Sequence, residues 1–332
     1  MVEKLSIIPI GGTSRAVNTL RSLLLRDDIY IPLVIIMEGN QDDISSSQIL
    51  ANICSESQLK YCVINKVTPA LEDEVKKFKS KALIGIGVWR PLLSTSFLNS
   101  TEFGFLAVHG TPLPRYRGWA GISWQIINGE DTVSLQGYQL SSGIDDGPLI
   151  SRSDGSLLCA EIPLSSHMHL EDVFVEYEKC HIALVNNIIN LLLDRELCLA
   201  SQDESKASFS CHRGPSDGEI NWNLSATEVF NFIRAQSPPY PCAFTYYKGK
   251  KVYILHASLP PYVRYEGIIA GKVISRCVDS GSVTILCNDG LLDVHKISVD
   301  GAVCSPRDFF ISIRDRCKSR LEAFIDCYYP DF

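Results

Sequence analysis

The residues of this chain best placed to move a proton are a histidine at the end of an apolar run and an aspartate in a glycine-flanked turn. His109 follows Phe105-Leu106-Ala107-Val108 and precedes Gly110-Thr111-Pro112-Leu113-Pro114, which puts it at the carboxyl end of a strand. Open sheets hold their ligands at such ends. Asp145 sits in Gly143-Ile144-Asp145-Asp146-Gly147, after a stretch from Ser134 to Leu140 that alternates like a strand. An imidazole and a carboxylate at neighbouring strand ends can serve as a proton acceptor and the group that orients it. The same two residues also read as a hydrogen-bonded structural histidine and a turn aspartate. The 12 cysteines form no C-x-x-C pair and no close Cys/His spacing, so neither disulfides nor a metal site are expected.

The elements that must position these residues alternate. Leu5 to Ile10 is an apolar, β-branched run ending in Gly11-Gly12, and Ser14 to Leu24 follows with helical spacing. Further strands are expected at Ile31 to Met37, Tyr61 to Ile64 and Ala82 to Val88, with helices near Ile44 to Ser57 and Leu71 to Phe78. The alternation implies an α/β fold with an open, mostly parallel, Rossmann-like sheet. The Gly11-Gly12 turn lacks the G-x-G-x-x-G spacing, so it reads as a tight strand-to-helix turn or as a phosphate cradle. Arg15 reads as a phosphate contact or as a solvated first-turn residue.

A long amphipathic helix is expected over Val173 to Leu193, and the polar stretch Ala200 to Ser208 reads as a linker. The expected domains are therefore residues 1–205, which hold the candidate chemistry, and residues 206–332. In the second, Ser225 to Ala235 reads as a helix. Thr245 to Ala257, Ile268 to Arg276, Ser282 to Cys287 and Leu291 to Val299 read as short strands separated by glycines, the pattern of a small β-barrel. A closing helix is expected over Pro306 to Ile325.

Composition bounds the partners. A length of 332 residues suits two domains, and 45% hydrophobic with 21% charged residues is near the globular average. A net charge of -7, from 31 Lys+Arg against 38 Asp+Glu, argues against a duplex or tRNA partner, because phosphate binding draws on clustered cations. The apolar run near the N-terminus is too short for a secretion signal, and no stretch reaches the roughly 20 apolar residues of a membrane span. A cytoplasmic protein with no membrane partner is expected.

Three blocks carry a family resemblance: H-G-T-P-L-P-R-Y-R-G from His109 to Gly118, W-Q-I-I-N-G-E from Trp124 to Glu130, and S-G-I-D-D-G from Ser142 to Gly147. In this order and at these separations they resemble the folate-dependent formyltransferases, which act on methionyl-tRNA, glycinamide ribonucleotide or amino sugars. Gly11-Gly12-Thr13, the stretch from Ile84 to Leu93, and Arg213 to Trp222 with Ile233 to Phe244 extend the likeness over most of the chain. The last two segments resemble the start of the family's OB-like C-terminal domain.

The resemblance implies formyl transfer from the co-substrate 10-formyltetrahydrofolate, without metal. His109 and Asp145 match two of the family's three catalytic residues. The third, an Asn two residues before the His, is replaced by Ala107, and loss of one oxyanion donor typically costs about a hundred- to a thousand-fold in turnover. Folate contacts are implied at Gly87, Val88, Trp89, Arg90, Pro91 and Leu92, and on the other side at Leu140, Ser141, Ser142, Gly143 and Asp145. Substrate contacts are implied at Gly12, Thr13, Ser14, Arg15, Thr111, Pro112, Arg117, Trp124, Glu130, Tyr240 and Phe244.

The stretch from Arg234 to Tyr247 looks most like the sugar-nucleotide branch, so the expected acceptor is a dTDP-, UDP- or GDP-linked amino sugar of surface-polysaccharide synthesis such as O-antigen of lipopolysaccharide. A homodimer is expected. The alternatives are a methionyl-tRNA formyltransferase, and a catalytically impaired protein that binds folate or a sugar nucleotide, which Ala107 favours.

Overall fold

The computed structural model describes residues 4–38, 44–87 and 93–328. The elements run β1 (Leu5–Gly11), α1 (Ser14–Leu24), β2 (Ile29–Tyr30), β3 (Val34–Met37), α2 (Ile44–Glu56), β4 (Tyr61–Ile64), α3 (Pro69–Phe78), β5 (Ala82–Gly85), α4 (Thr95–Leu98), β6 (Phe105–His109) and β7 (Arg117–Gly118). Then come α5 (Gly121–Ile127), β8 (Thr132–Gln139), β9 (Leu149–Ser151), β10 (Cys159–Pro163), α6 (Leu170–Leu193), β11 (Cys198–Ala200) and β12 (Phe209–Ser210). The remainder is α7 (Ala226–Arg234), β13 (Ala243–Tyr247), β14 (Lys250–Ser258), β15 (Val273–Arg276), β16 (Val283–Leu286), β17 (Leu291–Val299), β18 (Ala302–Cys304), α8 (Pro306–Phe309) and α9 (Arg320–Tyr328).

The chain divides into two units. One comprises Met1–Gly118, Ser134–Glu161 and Glu176–Phe209; the other comprises Trp119–Val133, Ile162–Val175 and Ser210–Phe332. In the first, the sheet order is β11-β9-β8-β6-β5-β1-β3-β4. β1 pairs in parallel with β3 and β5, and β6 joins β5 in parallel before meeting β8 antiparallel. Ile7, Ile8, Ile10, Ile35 and Leu83 have no exposed surface, as expected for central strands covered on both faces. From β1 the chain runs outward through β3 and β4 and then returns to β5 on the other side of β1. That reversal opens a crevice at the strand carboxyl ends, the edge where β6 delivers His109.

The first glycine turn is dictated by close approach. A Cβ on Gly12 would lie 2.5 Å from the Met37 carbonyl oxygen, and one on Gly11 would lie 3.0 Å from the Gly87 nitrogen. The strand expected over Ile31 to Met37 starts only at Val34, as β3, because Pro32 has no N–H to give a ladder. The expected Ala82 to Val88 strand ends at Gly85, and Val88 lies outside the described residues.

In the second unit β13-β14-β17-β16-β15 form an antiparallel sheet, with β18 on β17. The single strand expected over Thr245 to Ala257 is a hairpin of β13 and β14. Lys248 (φ 50°) and Gly249 (φ 74°) both take left-handed backbone, the requirement of a two-residue type I′ turn. The sheet closes on itself through a segment that is not itself a strand. Tyr246 and Lys318 exchange both backbone hydrogen bonds (3.0 and 2.8 Å), Cys317 donates to Gly271 (2.8 Å), and Val273 donates to Asp315 (3.3 Å). These bonds use residues 315–318, so the closing helix expected over Pro306 to Ile325 is two short helices, α8 and α9. α9 starts at a reciprocal cap in which Ser319 Oγ accepts from Glu322 N and Glu322 Oε2 accepts from Ser319 N. Ile220, Trp222, Phe230, Ile233, Tyr247, Val252 and Ile285 fill the core.

Candidate active site

His109 ends β6, and register places it opposite Gln136 of β8, with Ala107 opposite Tyr138. Alternation along the two strands therefore puts Ala107, His109 and Tyr138 on one face. The Tyr138 ring meets the His109 ring edge-on at 5.7 Å between centroids. Asp145 lies in the turn between β8 and β9 with φ 49°, a left-handed conformation that an aspartate tolerates better than most residues.

Its carboxylate is held from two sides. Tyr138 Oη donates to Oδ1 at 2.9 Å, and the Gly118 N–H donates to Oδ2 at 2.8 Å. Oδ1 also faces His109 Nδ1 at 3.7 Å, close enough for charge attraction and too long for a hydrogen bond. Burial pushes the His109 imidazole below its ordinary value, while Asp145 and a backbone hydrogen bond with Tyr116 pull it partly back. The ring is therefore neutral near pH 7. With an acceptor facing Nδ1, the proton belongs on that nitrogen and Nε2 carries a lone pair. Nε2 is buried and has no hydrogen-bond partner among the described residues. The same Asp145 charge, added to burial, holds the Tyr138 phenol well above its ordinary range, so it stays a donor.

Ala107 brings no polar group to this face. It packs with Leu113, Tyr138, Leu140 and Leu149, and its Cβ fills the space that a Cβ on Gly85 would need, 2.8 Å away. Gln136 is not a substitute donor, because its Nε2 is committed to the carbonyls of Leu158 (3.1 Å) and Gly137 (3.3 Å).

The other sequence-derived residues fall into groups. Gly12, Thr13, Ser14 and Arg15 lie at the start of α1; the Thr13 hydroxyl is buried with no hydrogen-bond partner among the described residues, and the Arg15 guanidinium lies 4.7 Å over the Tyr177 ring. Gly87 faces Thr13 Oγ1, 2.9 Å from where a Cβ would be. Val88, Trp89, Arg90, Pro91 and Leu92 lie outside the described residues. Leu140, Ser141, Ser142 and Gly143 lead from β8 into the Asp145 turn, where Ser141 Oγ bonds Asp146 and accepts from Gly143 N. Thr111 is buried, its hydroxyl likewise unpartnered among the described residues, and Pro112 follows it. Arg117 is 2% exposed, its guanidinium on Gln202 and Glu204.

Trp124, Glu130, Tyr240 and Phe244 belong to the other unit. There Trp124 Nε1 donates to the Cys211 carbonyl, Tyr240 meets Phe174 edge-on, and Phe244 is wholly buried. Sequence reasoning missed Tyr138, Gly118 and Gln202 as neighbours of Asp145. Alternation puts Tyr138 on the His109 face only once the register of β6 on β8 is known, and nothing local marks Gln202.

A formyl transferase family model matches residues 38–162, and the model of the formyl transferase C-terminal domain matches residues 214–314. The chain belongs to the formyl transferase family and has its two-domain fold. Among solved structures it is similar to an N-formyltransferase from Helicobacter canadensis in complex with folinic acid and dTDP-3-aminofucose. That match has 18% identity and a TM-score of 0.63, and covers 88% of this chain and 99% of that one. It is also similar to methionyl-tRNA formyltransferase from Clostridium thermocellum, at 17% identity, TM-score 0.51, and 80% and 96% coverage. A HypX variant from Aquifex aeolicus matches 94% of this chain at 14% identity and a TM-score of 0.59. The chain spans about half of HypX, 49% of its length. No helix among the described residues is long and apolar enough to cross a membrane.

Proposed function

We propose that this protein transfers a formyl group from 10-formyltetrahydrofolate to the amine of a nucleotide-linked amino sugar, with His109 and Asp145 as its catalytic residues. The observation that carries the reading is the unpartnered, buried Nε2 of a neutral His109 with a fixed carboxylate behind its other nitrogen. A buried, orphaned nitrogen fits a reacting group that completes its hydrogen bonding. Leu140 to Gly143 and the stretch from Gly87 to Leu92 are the residues that would hold the folate, which supplies the formyl carbon as the electrophile.

An amine that attacks a formyl carbon must lose a proton as its new C–N bond forms. His109 Nε2 takes that proton and the Asp145 carboxylate stabilises the imidazolium that results; as the bond from the formyl carbon to the folate nitrogen breaks, the imidazolium returns the proton to that nitrogen and tetrahydrofolate leaves. Tyr138 and Gly118 keep the carboxylate turned to the ring. Charge that develops on the formyl oxygen meets no amide at Ala107, so turnover is slow for want of one donor.

A sugar-nucleotide acceptor is supported by the net charge of -7 and by the likeness to a structure that holds dTDP-3-aminofucose. A second reading, a binding protein for folate or a sugar nucleotide, is favoured by Ala107. Incubation with 10-formyltetrahydrofolate and a panel of dTDP-, UDP- and GDP-linked amino sugars, with products read by mass spectrometry, separates the two. A formylated sugar nucleotide supports the enzyme. Tight binding of both ligands with no product supports the binding protein.

A further inference from the structure

Asp145 needs more than its carboxylate contacts to stay where it is. Its backbone is left-handed, and its turn is pressed so closely on β8 that a Cβ at Gly147 would fall 1.8 Å from the Gln139 carbonyl oxygen. A turn of this kind persists only when its surroundings over-determine it. Part of those surroundings is one side chain from a segment that the sequence marks only as polar and turn-rich. Gln202 Nε2 donates to the carbonyl oxygen of Asp145 at 2.8 Å and to that of Gly147 at 2.6 Å.

The orientation of that amide is fixed from behind. Gln202 Oε1 accepts from Arg117 Nε at 3.1 Å and from Arg117 Nη2 at 2.8 Å. A guanidinium only donates, so the amide oxygen must face Arg117 and the NH₂ group must face the two carbonyls. Arg117 is itself locked, with Nη1 and Nη2 on the two carboxylate oxygens of Glu204 at 2.9 and 2.6 Å. The residue after Arg117, Gly118, gives its N–H to the Asp145 carboxylate. One short stretch thus grips Asp145 twice, at the side chain through Gly118 and at the backbone through Arg117 and Gln202.

We propose that Gln202 is a positioning residue: by clamping the Asp145 and Gly147 carbonyls it holds the Asp145 carboxylate opposite His109 Nδ1. The proposal rests on the reading of His109 and Asp145 as the catalytic pair. Its consequence is electrostatic. Without the clamp the carboxylate moves away from the ring, His109 loses the attraction that raises its proton affinity, and its titration falls to lower pH. Catalysis slows for the same reason, since a misplacement of about 1 Å can cost up to a hundred-fold. A glutamine that only braced Arg117 would affect stability and leave the ring untouched.

The test follows the His109 ring by NMR titration in the full chain, with histidine labelled on the ring carbon. The parent is compared with Asp145→Asn, Gln202→Met, Gln202→Asn and Glu204→Gln. Gln202→Asn keeps an amide for Arg117 but is too short to reach both carbonyls, so it serves if the Met variant does not fold. Both Gln202 variants are expected to move the His109 midpoint to lower pH, by half or more of the Asp145→Asn shift. Glu204→Gln keeps an amide oxygen for the Arg117 guanidinium, so it should move the titration far less than either Gln202 variant. Where formyl transfer is measurable, the Gln202 variants should lose about ten- to a hundred-fold in kcat with little change in KM. If Asp145→Asn moves the titration and neither Gln202 variant does, the positioning role is overturned while the catalytic reading stands. If Asp145→Asn itself leaves the His109 titration unmoved, the catalytic pair and the role of Gln202 fall together.

Discussion

At the scale of single residues, the buried Nε2 of a neutral His109 has no hydrogen-bond partner among the described residues. His109→Asn and Asp145→Asn are expected to lower formyl transfer by about a hundred- to ten-thousand-fold, the range of a positioned proton acceptor. Circular dichroism should show both variants folded. Because burial lowers the His109 value and only the neutral ring accepts a proton, kcat/KM should fall with decreasing pH through a midpoint below that of an ordinary imidazole. Asp145 opposes the lowering, so Asp145→Asn should move that midpoint further down in whatever activity remains.

Ala107→Asn is expected to raise turnover by about ten- to a thousand-fold, because the restored amide would meet charge that develops on the formyl oxygen. Unchanged or reduced turnover in that variant would indicate another donor already in place.

The two candidate residues stand out in the sequence because His109 ends an apolar run and Asp145 lies in a glycine-flanked turn after an alternating one. Tyr138 was hidden only because the register of β6 on β8 was unknown. Gln202 was not legible: its partners lie 55 and more residues away, and a polar turn-rich stretch is what a linker also looks like.

At the scale of elements, the turn from Ser141 to Gly147 is the piece on which the site depends most. Gly147→Ala would drive a methyl group into the Gln139 carbonyl and is expected to remove activity and lower the thermal midpoint. Gly155→Ala is the control. It too has a left-handed backbone, φ 82°, but nothing lies within 4 Å, so it should cost about 1–2 kcal/mol with kcat unchanged. Equal effects of the two substitutions on kcat would contradict the importance of the turn. Elements with one dominant local signal were readable from sequence: β4 and β17 have the expected bounds, and α7 lies within the helix expected over Ser225 to Ala235. Those set by pairing were not. Residues 310–319 carry a helix-compatible pattern, yet backbone bonds to Tyr246 and Gly271 draw part of the segment into barrel closure instead. The Ser319 and Glu322 spacing that starts α9 was present in the sequence as a capping signal.

At the scale of the whole molecule, each unit carries a buried histidine whose protonation opposes folding. His181 in the first unit and His169 in the second are both pushed down to about 4 by burial, with Arg15 adding to the effect on the former and the His256 ring, stacked at 4.0 Å, adding to it on the latter. A folded value below the unfolded one means the unfolded chain binds protons first. The stability is therefore intact above about pH 6.5 and is lost as pH falls toward 4, by about 3 kcal/mol for each histidine. Urea midpoints measured from pH 7.5 to 4 should fall steeply over that window, and His181→Asn should flatten part of the slope. A slope unchanged in that variant would contradict the assignment.

The fold does not distinguish the acceptors, because a methionyl-tRNA formyltransferase shares it. The most direct measurement is a side-by-side assay with 10-formyltetrahydrofolate as donor. It compares nucleotide-linked amino sugars and methionyl-tRNA as acceptors near physiological salt, with the His109→Asn variant in parallel. Formylation of a sugar nucleotide that disappears in the variant, with none of the tRNA, is the predicted result. Formylation of methionyl-tRNA in preference to every sugar, or a rate that survives loss of His109, would contradict it.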